Sequence, residues 1–351
     1  MNTIGRINMN LRPSFAIIGA GKVGSALALL LKERGFKPAG VFSRSQASAR
    51  KLAGQLQTVV FQCPGDAARA ADWVFITTTD REINPTAEKI ARRGGCRPGQ
   101  MVVHTSGALD SSILEPVRRQ GAWAVSIHPL QSFASIESAK ENLPGSCFAL
   151  EGDEPAVKLA MELVRELQGQ YFVIKAEDKP LYHAAAVVAS NYLVSLIHLS
   201  TSIYQKLGLD ERQALDALFP LIQGTLNNIA RTGPGAALTG PVARGDGNTL
   251  KNHMKALKKM NWRAHQAYSH LGLYTVGVAV ENGSITPNEG TTLSNIFLEV
   301  EQNDQKGNHC RLPAYETGRP AHSHVDRLRL SNSHVGRCFR YRRHSGGGLP
   351  R

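Results

Sequence analysis

The chain has 351 residues, 42% of them hydrophobic and 20% charged, which is ample for a buried core and suggests two domains. Its net charge is +13, but residues 306–351 account for +8 of it, so the rest of the chain is only modestly basic. Helix-turn-helix, zinc-ligand and aromatic-basic patterns are missing, which argues against a specific nucleic-acid partner and against a metal site.

Strand-like and helical patterns alternate through the first half of the chain. The predicted strands are residues 15–18, 40–43, 58–61, 73–77, 101–104 and 123–127. The helices predicted between them are residues 22–34, 46–56, 85–93 and 111–120. Two further strands, 147–151 and 171–174, flank a helix at 154–167. This alternation predicts an α/β fold with a doubly wound parallel sheet, and hence an N-terminal Rossmann domain over residues 12–175.

After Lys175 the patterns are helical only. Seven residues recur at spacings of three and four, which predicts one long helix with a buried stripe: Leu181, Ala185, Val188, Tyr192, Leu196, Leu199 and Ile203. Further helices are predicted at 210–231, 248–257, 262–282 and 287–300. Asp210, with Gln213 three residues later, is typical of a capping box. We therefore expect an all-helical C-terminal domain at 176–302.

Residues 180–205 contain no Asp, Glu, Lys or Arg, so this helix has to be compared with a membrane span. Polar residues such as His183, Ser190 and His198 interrupt it, which suits a buried helix better than a lipid-facing one. The five cysteines show no CxxC spacing, and the N-terminal residues do not resemble a signal peptide. We expect free thiols in a cytoplasmic protein that has no membrane partner.

A glycine-rich motif follows the first predicted strand and opens the first predicted helix. It consists of Gly19, Ala20, Gly21, Lys22, Val23 and Gly24. In this context Gly19 permits a tight turn, Gly21 lets the backbone approach a pyrophosphate, and Gly24 lets the helix pack on the sheet. The helix N-terminus would supply amide donors to the phosphates. The pattern favours a dinucleotide site, and the alternative is a glycine-rich turn in another α/β fold.

The end of the second strand bears on the choice between NAD and NADP. NAD enzymes usually place a carboxylate there to bind the ribose 2′-hydroxyl, whereas this chain has Ser43 and Arg44, which suit a 2′-phosphate. The alternative for Arg44 is a solvated loop charge. Thr78 and Thr79 follow the fourth strand and Ser106 follows the fifth, so we expect all three at the cofactor edge of the sheet.

The long helix carries the candidate catalytic side chains. Lys179, His183 and Ser190 are separated by four and seven residues, which places them on one helix face, and Asn191 is adjacent. A Lys or His facing a nicotinamide can donate the proton that accompanies hydride transfer, and Ser190 would contact the substrate. The alternatives are a core histidine for His183 and a solvated lysine at a helix start for Lys179.

Two further segments contribute candidates. His128 follows a predicted strand in the sequence His-Pro-Leu-Gln-Ser-Phe, where a structural turn and a catalytic role are both open. Arg244 and Asp246 lie in the loop Gly-Pro-Val-Ala-Arg-Gly-Asp, where Arg244 has the geometry to bind a substrate carboxylate bidentately. The alternative is a simple Arg244–Asp246 ion pair within the loop.

Five motifs occur in order between residues 14 and 300: IIGAGKVGSAL, HTSGAL, HPLQSF, YHAAAVVASNYL and LTGPVARGD. Together they resemble the Rossmann-like proteins that carry a C-terminal domain of unknown function 2520. That family is similar in architecture to ketopantoate reductase, 6-phosphogluconate dehydrogenase and pyrroline-5-carboxylate reductase. The resemblance implies an interdomain active site and a homodimer. Ketopantoate reductases carry Lys-x-x-x-Asn on this helix, whereas here His183 follows Lys179 by four residues.

From residue 303 the sequence is basic and aperiodic, which predicts a disordered tail over 303–351. Residues 308–351 can be back-translated so that the frame one nucleotide later encodes a peptide resembling the N-terminus of ketopantoate hydroxymethyltransferase. A start codon also fits across Asn303 and Asp304. We interpret the tail as out-of-frame read-through into a neighbouring gene.

The predicted function is that of an NADP(H)-dependent oxidoreductase acting on a small carboxylate-bearing substrate, with NAD open as the cofactor. The neighbouring reading frame suggests ketopantoate reduction in pantothenate biosynthesis. The alternatives are an imine or hydroxyacid dehydrogenase, and a non-catalytic dinucleotide sensor or scaffold. The sensor interpretation gains if neither Lys179 nor His183 faces the nicotinamide end of the cleft.

Overall fold

The computed structural model describes residues 12–304. The predicted tail lies outside the described residues, apart from positions 303 and 304, which end the last helix. The chain divides into two compact units, Met1–Arg231 and Thr232–Arg351. The domain boundary at residue 175 stays a prediction.

Seven strands of the first unit form one sheet. They are β1 (Ser14–Ile18), β2 (Lys37–Phe42), β3 (Trp73–Ile76), β4 (Met101–His104), β5 (Trp123–Pro129), β6 (Cys147–Gly152) and β7 (Gln170–Val173). The spatial order is β2-β1-β3-β4-β5-β6-β7, and β1 to β5 run parallel. β6 is antiparallel to β5 and parallel to β7. The predicted α/β fold is confirmed, with a mostly parallel sheet.

Helices cover both faces of this sheet. Along the chain they are α1 (Lys22–Glu33), α2 (Gln46–Leu56), α3 (Pro64–Arg69), α4 (Asp80–Arg92), α5 (Glu115–Arg118), α6 (Ile136–Asn142) and α7 (Glu154–Glu166). Successive strand residues point to opposite faces. Ile17 therefore packs in one buried cluster with α1, α2 and α7, and Ile18 packs in another with α3, α4 and α5. Burial of both faces is the property of a doubly wound sheet.

One predicted strand is not a strand in the structure. Residues 58–61 form a single bridge to β2, in which the Val41 amide donates to the Val59 carbonyl and the Phe61 amide donates to the Val41 carbonyl. The chain then turns at Pro64, the first residue of α3, so no further residues extend along β2. The strand propensity of residues 58–61 predicted an extended segment. The turn into α3 that follows limits its pairing with β2 to one bridging residue.

Several helix bounds also differ from the prediction. α4 begins at Asp80 rather than at residue 85, because Asp80 and Glu82 occupy a first turn where acidic side chains favour the helix dipole. The predicted helix at 111–120 consists of a 3₁₀ turn (Ser111–Leu114) followed by α5. The short helices α3 and α6 were not predicted, because one or two turns give no clear periodicity.

Three long helical elements complete the first unit. They are α8 (Lys179–Val187), α9 (Leu193–Lys206) and α10 (Glu211–Thr232), preceded by a 3₁₀ turn at Ala176–Asp178. A π-helical segment, Val188–Tyr192, joins α8 to α9. The predicted capping box is confirmed at α10, where the Gln213 amide donates to Asp210 at 2.8 Å and the Asp210 amide donates to Gln213 at 3.0 Å.

Most of the apolar stripe predicted to be buried along this helix is exposed: five of its seven residues are exposed, and Leu199 and Ile203 are half-buried. Leu181 is 77% exposed, and Val188 and Tyr192 are more than half exposed. Periodicity identifies an apolar face, but it does not determine what covers that face. Within residues 12–304, Ala176–Lys206 is the one helical stretch that is long and apolar enough to cross a membrane by length and composition.

The second unit consists of three helices in its described part. They are α11 (Gly247–Met260), α12 (Trp262–Glu281) and α13 (Pro287–Asp304). Leu250, Met254, Val276 and Phe297 form its buried centre. The described region after β7 therefore contains helices and the loops between them, and no strand, as predicted.

Candidate functional site

The glycine motif forms the turn between β1 and α1. Gly19 has φ +114°, a left-handed conformation that side chains disfavour, and a Cβ there would lie 2.9 Å from the Thr77 carbonyl. A Cβ on Gly24 would collide with Thr77 Oγ1 and with the Gly19 carbonyl oxygen. The Thr77 hydroxyl donates to that same carbonyl oxygen at 2.7 Å. Because Gly19 and Gly24 have no side chains, the turn between β1 and α1 can pack directly against Thr77 at the end of β3.

Within residues 12–304, no side chain competes with a ligand for the backbone amides in the first turn of α1. Gly21 is the N-cap residue, no side chain caps the helix, and the first turn contains no acidic residue. A Cβ on Gly21 would meet nothing within 4 Å, so one side of this backbone is open. Ala20 and Val23 are half-buried, whereas Lys22 is exposed. This uncapped N-terminus has the amide donors and the space that a pyrophosphate requires.

The end of β2 presents Ser43 and Arg44, as predicted. Ser43 is half-buried, and Arg44 is exposed with no ion pair among residues 12–304. Ser45 has a separate role, because its hydroxyl accepts from the Ser48 amide at 3.3 Å and caps α2. Arg44 is therefore a free cation beside a capped helix start.

Thr78 and Thr79 connect β3 to α4. Thr79 is exposed and stands at the N-cap of α4 without a side-chain cap hydrogen bond. The Thr78 hydroxyl oxygen is buried and has no hydrogen-bond partner in the described part of the chain. A buried hydroxyl normally has a partner, so the Thr78 hydroxyl is available to bind water or a ligand group.

A buried polar cluster lies where β4 and β5 end. The ring of His104 accepts from the Ser106 amide at Nδ1 and donates to the Asp110 carbonyl through Nε2, both at 3.2 Å. Burial lowers the pKa of His104 to about 3, with a further contribution from Lys179, so the ring is neutral. The Ser106 hydroxyl accepts from two amides of the turn that follows. This hydroxyl, predicted to contact the cofactor, is thus engaged within its own turn.

Lys179 is buried in the same cluster. It is 1% exposed, and its ammonium group donates to the Ser106 carbonyl at 3.0 Å and to the Ser126 hydroxyl at 2.7 Å. Burial lowers the pKa of Lys179 to about 8, against an opposing effect of the Glu151 carboxylate. The alternative of a solvated lysine at the helix start is therefore wrong.

His128 and Tyr182 form a hydrogen-bonded pair. His128 Nδ1 lies 2.6 Å from Tyr182 Oη, and the two rings meet edge to face. Burial lowers the pKa of His128 to about 4, with further contributions from Lys179 and His183. Burial also raises the pKa of Tyr182 to about 12. At neutral pH the pair is therefore a neutral imidazole beside a protonated phenol.

His183 lies next to this pair. Its ring centroid is 6.1 Å from that of His128. Its Nδ1 is buried and lacks a hydrogen-bond partner within residues 12–304. A Cβ on Gly107 would lie 2.6 Å from His183 Nδ1 and 2.8 Å from His128 Nε2. Gly107, just after β4, therefore lets two imidazole nitrogens approach the same point of the backbone.

A cavity of about 560 Å³ adjoins the two histidines. Its lining includes Ser190 and Asn191 from the π-helical segment, a type of distortion that is frequent at functional sites. Lys179 does not line the cavity. Of the three side chains expected on one helix face, His183 and Ser190 therefore face the cavity, whereas Lys179 is buried in the polar cluster. The lining residues are His128, Leu130, Gln131, Ser132, Phe172, Tyr182, His183, Ala185, Ala186, Val187, Ala189, Ser190 and Asn191, none of which is Asp, Glu, Lys or Arg.

Arg244 and Asp246 belong to the second unit. The Asp246 carboxylate caps α11, accepting from the Thr249 amide at 3.0 Å and from the Thr249 hydroxyl at 2.6 Å. These bonds, with a smaller effect of Arg244, lower the pKa of Asp246. Arg244 makes no ion pair within 4.0 Å of Asp246, so the alternative of a direct loop ion pair is wrong.

Two family models match adjacent parts of the chain. A Rossmann-like domain matches residues 4–129, and a domain of unknown function, number 2520, matches residues 146–275. A solved protein from Thermotoga maritima is 31% identical over 76% of this chain and 98% of its own length, with a TM-score of 0.60. The chain belongs to the family of Rossmann-like proteins with a C-terminal domain of unknown function 2520.

Other solved structures share the fold of this family at lower identity. A candidate NADP oxidoreductase from Bacteroides fragilis is 23% identical, covering 74% of this chain and 96% of that protein, with a TM-score of 0.60. A 1-pyrroline-5-carboxylate reductase from Streptococcus pyogenes is 17% identical, covering 81% of this chain and 99% of that enzyme, with a TM-score of 0.53. No curated protein sequence matches the chain. The chain therefore shares its fold with these two proteins.

Three residues of this site were not among the candidates predicted from the sequence: Gly107, Ser126 and Tyr182. Ser126 is two residues before His128 in β5, and this alternation puts both side chains on one face. That period-two relation was readable in the sequence. The pairing of Tyr182 with His128 was not, because the two residues lie 54 positions apart.

Proposed function

We propose that this protein is a cytoplasmic NADP(H)-dependent oxidoreductase that acts, as a homodimer, on a small carboxylate-bearing carbonyl compound. Its fold supports a dinucleotide-dependent oxidoreductase as the general class. The cofactor choice, the substrate, the location and the dimer are the finer parts of the proposal.

The observation that carries the proposal is the position of two groups of residues on one sheet. The glycine turn follows β1, and the turn carrying Gly107 follows β4, with His128 at the end of β5. These strands run parallel, so their carboxyl ends lie at the same edge, where open α/β sheets bind ligands. His183 contacts this edge at Gly107, which favours an enzyme over a sensor.

The residues present fit a nicotinamide dinucleotide. The α1 amides would bind the pyrophosphate, and the unpartnered Thr78 hydroxyl would bind a polar group of the cofactor. When bound, the cofactor supplies or accepts a hydride. His128 and His183 both line the cavity. They would orient the substrate and transfer the proton that accompanies hydride transfer.

NADP(H) is preferred over NAD(H) because of Arg44. It is exposed, lacks an ion pair in residues 12–304, and follows a strand that ends without a carboxylate. A guanidinium group binds a phosphate through paired hydrogen bonds. The Bacteroides fragilis protein that shares the fold is a candidate NADP oxidoreductase, which agrees with this choice.

Ketopantoate is the substrate that we would assay first. The support for ketopantoate comes from the sequence alone, namely the out-of-frame resemblance of residues 308–351 to ketopantoate hydroxymethyltransferase. No charged side chain lines the cavity beside the two histidines, so the cavity itself does not provide a carboxylate partner. Arg244 remains the cation that the sequence predicts for that role.

The homodimer is proposed because apolar helix surface is left exposed in the first unit. Leu181 and Val194 on α8 and α9, and Phe219 and Leu221 on α10, are each more than half exposed. Burying a side chain of this size contributes about 1.5–3 kcal/mol, so a second protein copy is a favourable cover. The anchoring of Lys179 in the sheet edge argues against lipid as that cover.

The test measures binding and turnover separately on the full chain. NADPH and NADH are titrated by fluorescence, and the protein is then assayed with ketopantoate, other 2-oxo acids, their methyl esters and a cyclic imine. We expect NADPH to bind more tightly and at least one acid to be reduced faster than its ester. Turnover of the imine alone would favour the imine dehydrogenase alternative. Binding without any turnover would favour the sensor.

A further inference from the structure

Tyr182 contacts both His128 and Phe172. Its hydroxyl lies 2.6 Å from His128 Nδ1, and its ring meets that of Phe172 edge to face, with the ring centroids 5.8 Å apart. No other hydrogen bond of the Tyr182 hydroxyl occurs within residues 12–304. Within these residues, the Tyr182 hydroxyl therefore has one hydrogen-bond partner, Nδ1 of His128.

The other nitrogen of that imidazole is free. His128 Nε2 points to Gly107 and has no hydrogen-bond partner in the described part of the chain. His183 Nδ1 approaches the same glycine and is also unpartnered. Both rings line the cavity, so this convergence is where a polar atom of a substrate would find partners.

The direction of the Tyr182–His128 hydrogen bond follows from acidity. Burial raises the pKa of Tyr182 to about 12, and burial with Lys179 and His183 lowers the pKa of His128 to about 4. Both groups are thus neutral at pH 7. Between a phenol and a neutral imidazole, the phenol is the stronger acid and the imidazole the stronger acceptor. The O–H of Tyr182 therefore donates to Nδ1, which leaves the ring hydrogen on Nε2.

We propose that Tyr182 is a positioning residue that fixes His128 with its hydrogen on Nε2 and passes a proton through this ring to the substrate. The proposal rests on the proposed function, whose dihydronicotinamide is the reductant. As a substrate carbonyl carbon gains hydride, its oxygen forms a bond to the Nε2 hydrogen, and the N–H electron pair remains on Nε2. Nδ1 takes the Tyr182 hydroxyl proton at the same time. The imidazole stays neutral in the opposite tautomer. After the alcohol leaves, solvent water protonates Nε2 and Nδ1 returns its proton to the Tyr182 phenolate, which restores the starting tautomer.

The first test needs no turnover. In ¹⁵N-histidine-labelled, cofactor-free protein, the nitrogen shifts distinguish the two ring tautomers of His128. We expect the Nε2–H form in the wild type and a mixture of tautomers in Tyr182→Phe. Tyr192→Phe is the matched control, since it removes the same hydroxyl from an exposed tyrosine of the adjacent π-helical segment. An Nδ1–H form in the wild type, or an unchanged tautomer in Tyr182→Phe, overturns the proposal whether or not the proposed function holds.

The second test uses a substrate found in the assays described above. We expect Tyr182→Phe to lower kcat about 10–100-fold, as loss of part of a general acid should, with KM changed less than about threefold. Tyr192→Phe should leave kcat unchanged. A fall in kcat that is accompanied by loss of NADPH binding, or an unchanged kcat, contradicts the relay. If the wild type turns over no substrate, the proposed function fails, and the tautomer measurement still decides the role of Tyr182.

Discussion

Replacing Gly24 with alanine should destabilise the protein, whereas replacing Gly21 should not. A Cβ on Gly24 would overlap Thr77 Oγ1 and the Gly19 carbonyl oxygen, which is backbone and cannot rotate away. Overpacking of this kind costs about 1–3 kcal/mol. Loss of the 2.7 Å bond from Thr77 to Gly19 adds about 1 kcal/mol.

The intrinsic helix preference opposes this loss. Alanine is favoured over glycine inside a helix by up to about 1 kcal/mol, and Gly24 lies in the first turn of α1. The net change for Gly24→Ala is then a loss of about 1–3 kcal/mol in the free energy of unfolding. Gly21→Ala should cost less than about 1 kcal/mol, because its Cβ would meet nothing within 4 Å.

The assay is urea unfolding of both variants, followed by NADPH titration of the folded proteins. Gly24→Ala should shift the unfolding midpoint. Gly21→Ala should keep the midpoint but weaken NADPH binding, since its methyl group enters the space left for the pyrophosphate. Equal stability losses in the two variants, or none in Gly24→Ala, would refute the packing argument.

Three other changes test the site. Arg44→Glu should weaken NADPH binding by about 10–100-fold and NADH binding less, because it places a like charge beside the 2′-phosphate. The control is Arg50→Glu, at an exposed position of α2, and equal losses for both cofactors would exclude a 2′-phosphate contact. Because burial lowers the pKa of Lys179 from 10.5 to about 8, unfolding takes up a proton between these values, so wild-type stability should rise relative to Lys179→Met from about pH 8 to pH 10. Parallel pH profiles in urea unfolding would contradict this burial. Gly107→Ala should displace the imidazole of His183 and lower turnover while NADPH affinity stays unchanged, and unaltered turnover would place the reaction elsewhere.

The cofactor side of the site could be predicted from the sequence because it is local. Gly19 to Gly24 span one strand end, one turn and one helix start, so residue spacing alone fixes their geometry. The same is true of the capping box at Asp210, whose two partners are three residues apart. The place of Arg44 just after β2 was predictable for a similar reason, and its contact with the cofactor stays a prediction.

The catalytic side could not be predicted in the same way. Lys179 was chosen as a candidate from its place on the helix, but its buried contacts are with Ser106 and Ser126, which lie 73 and 53 residues earlier. A lysine near the start of a helix is usually solvated, and only contacts distant in the chain reverse that expectation. The prediction that the apolar stripe beginning at Leu181 is buried was wrong for the opposite reason. The helical periodicity is present, but the spacing of residues within one segment does not determine which other part of the protein covers it.

By itself, the sequence determined the α/β class, the glycine turn after β1 and the helices that follow β7 in the described residues, because each depends on patterns within a few residues. Only the tertiary structure decided that Tyr182 meets His128, that Gly107 lies beneath two imidazole rings and that Lys179 is buried. Those relations arise where parallel strands bring their carboxyl ends to one edge and a later helix packs against them. Side-chain protonation follows from that packing, since burial and neighbouring charge set the pKa of each group.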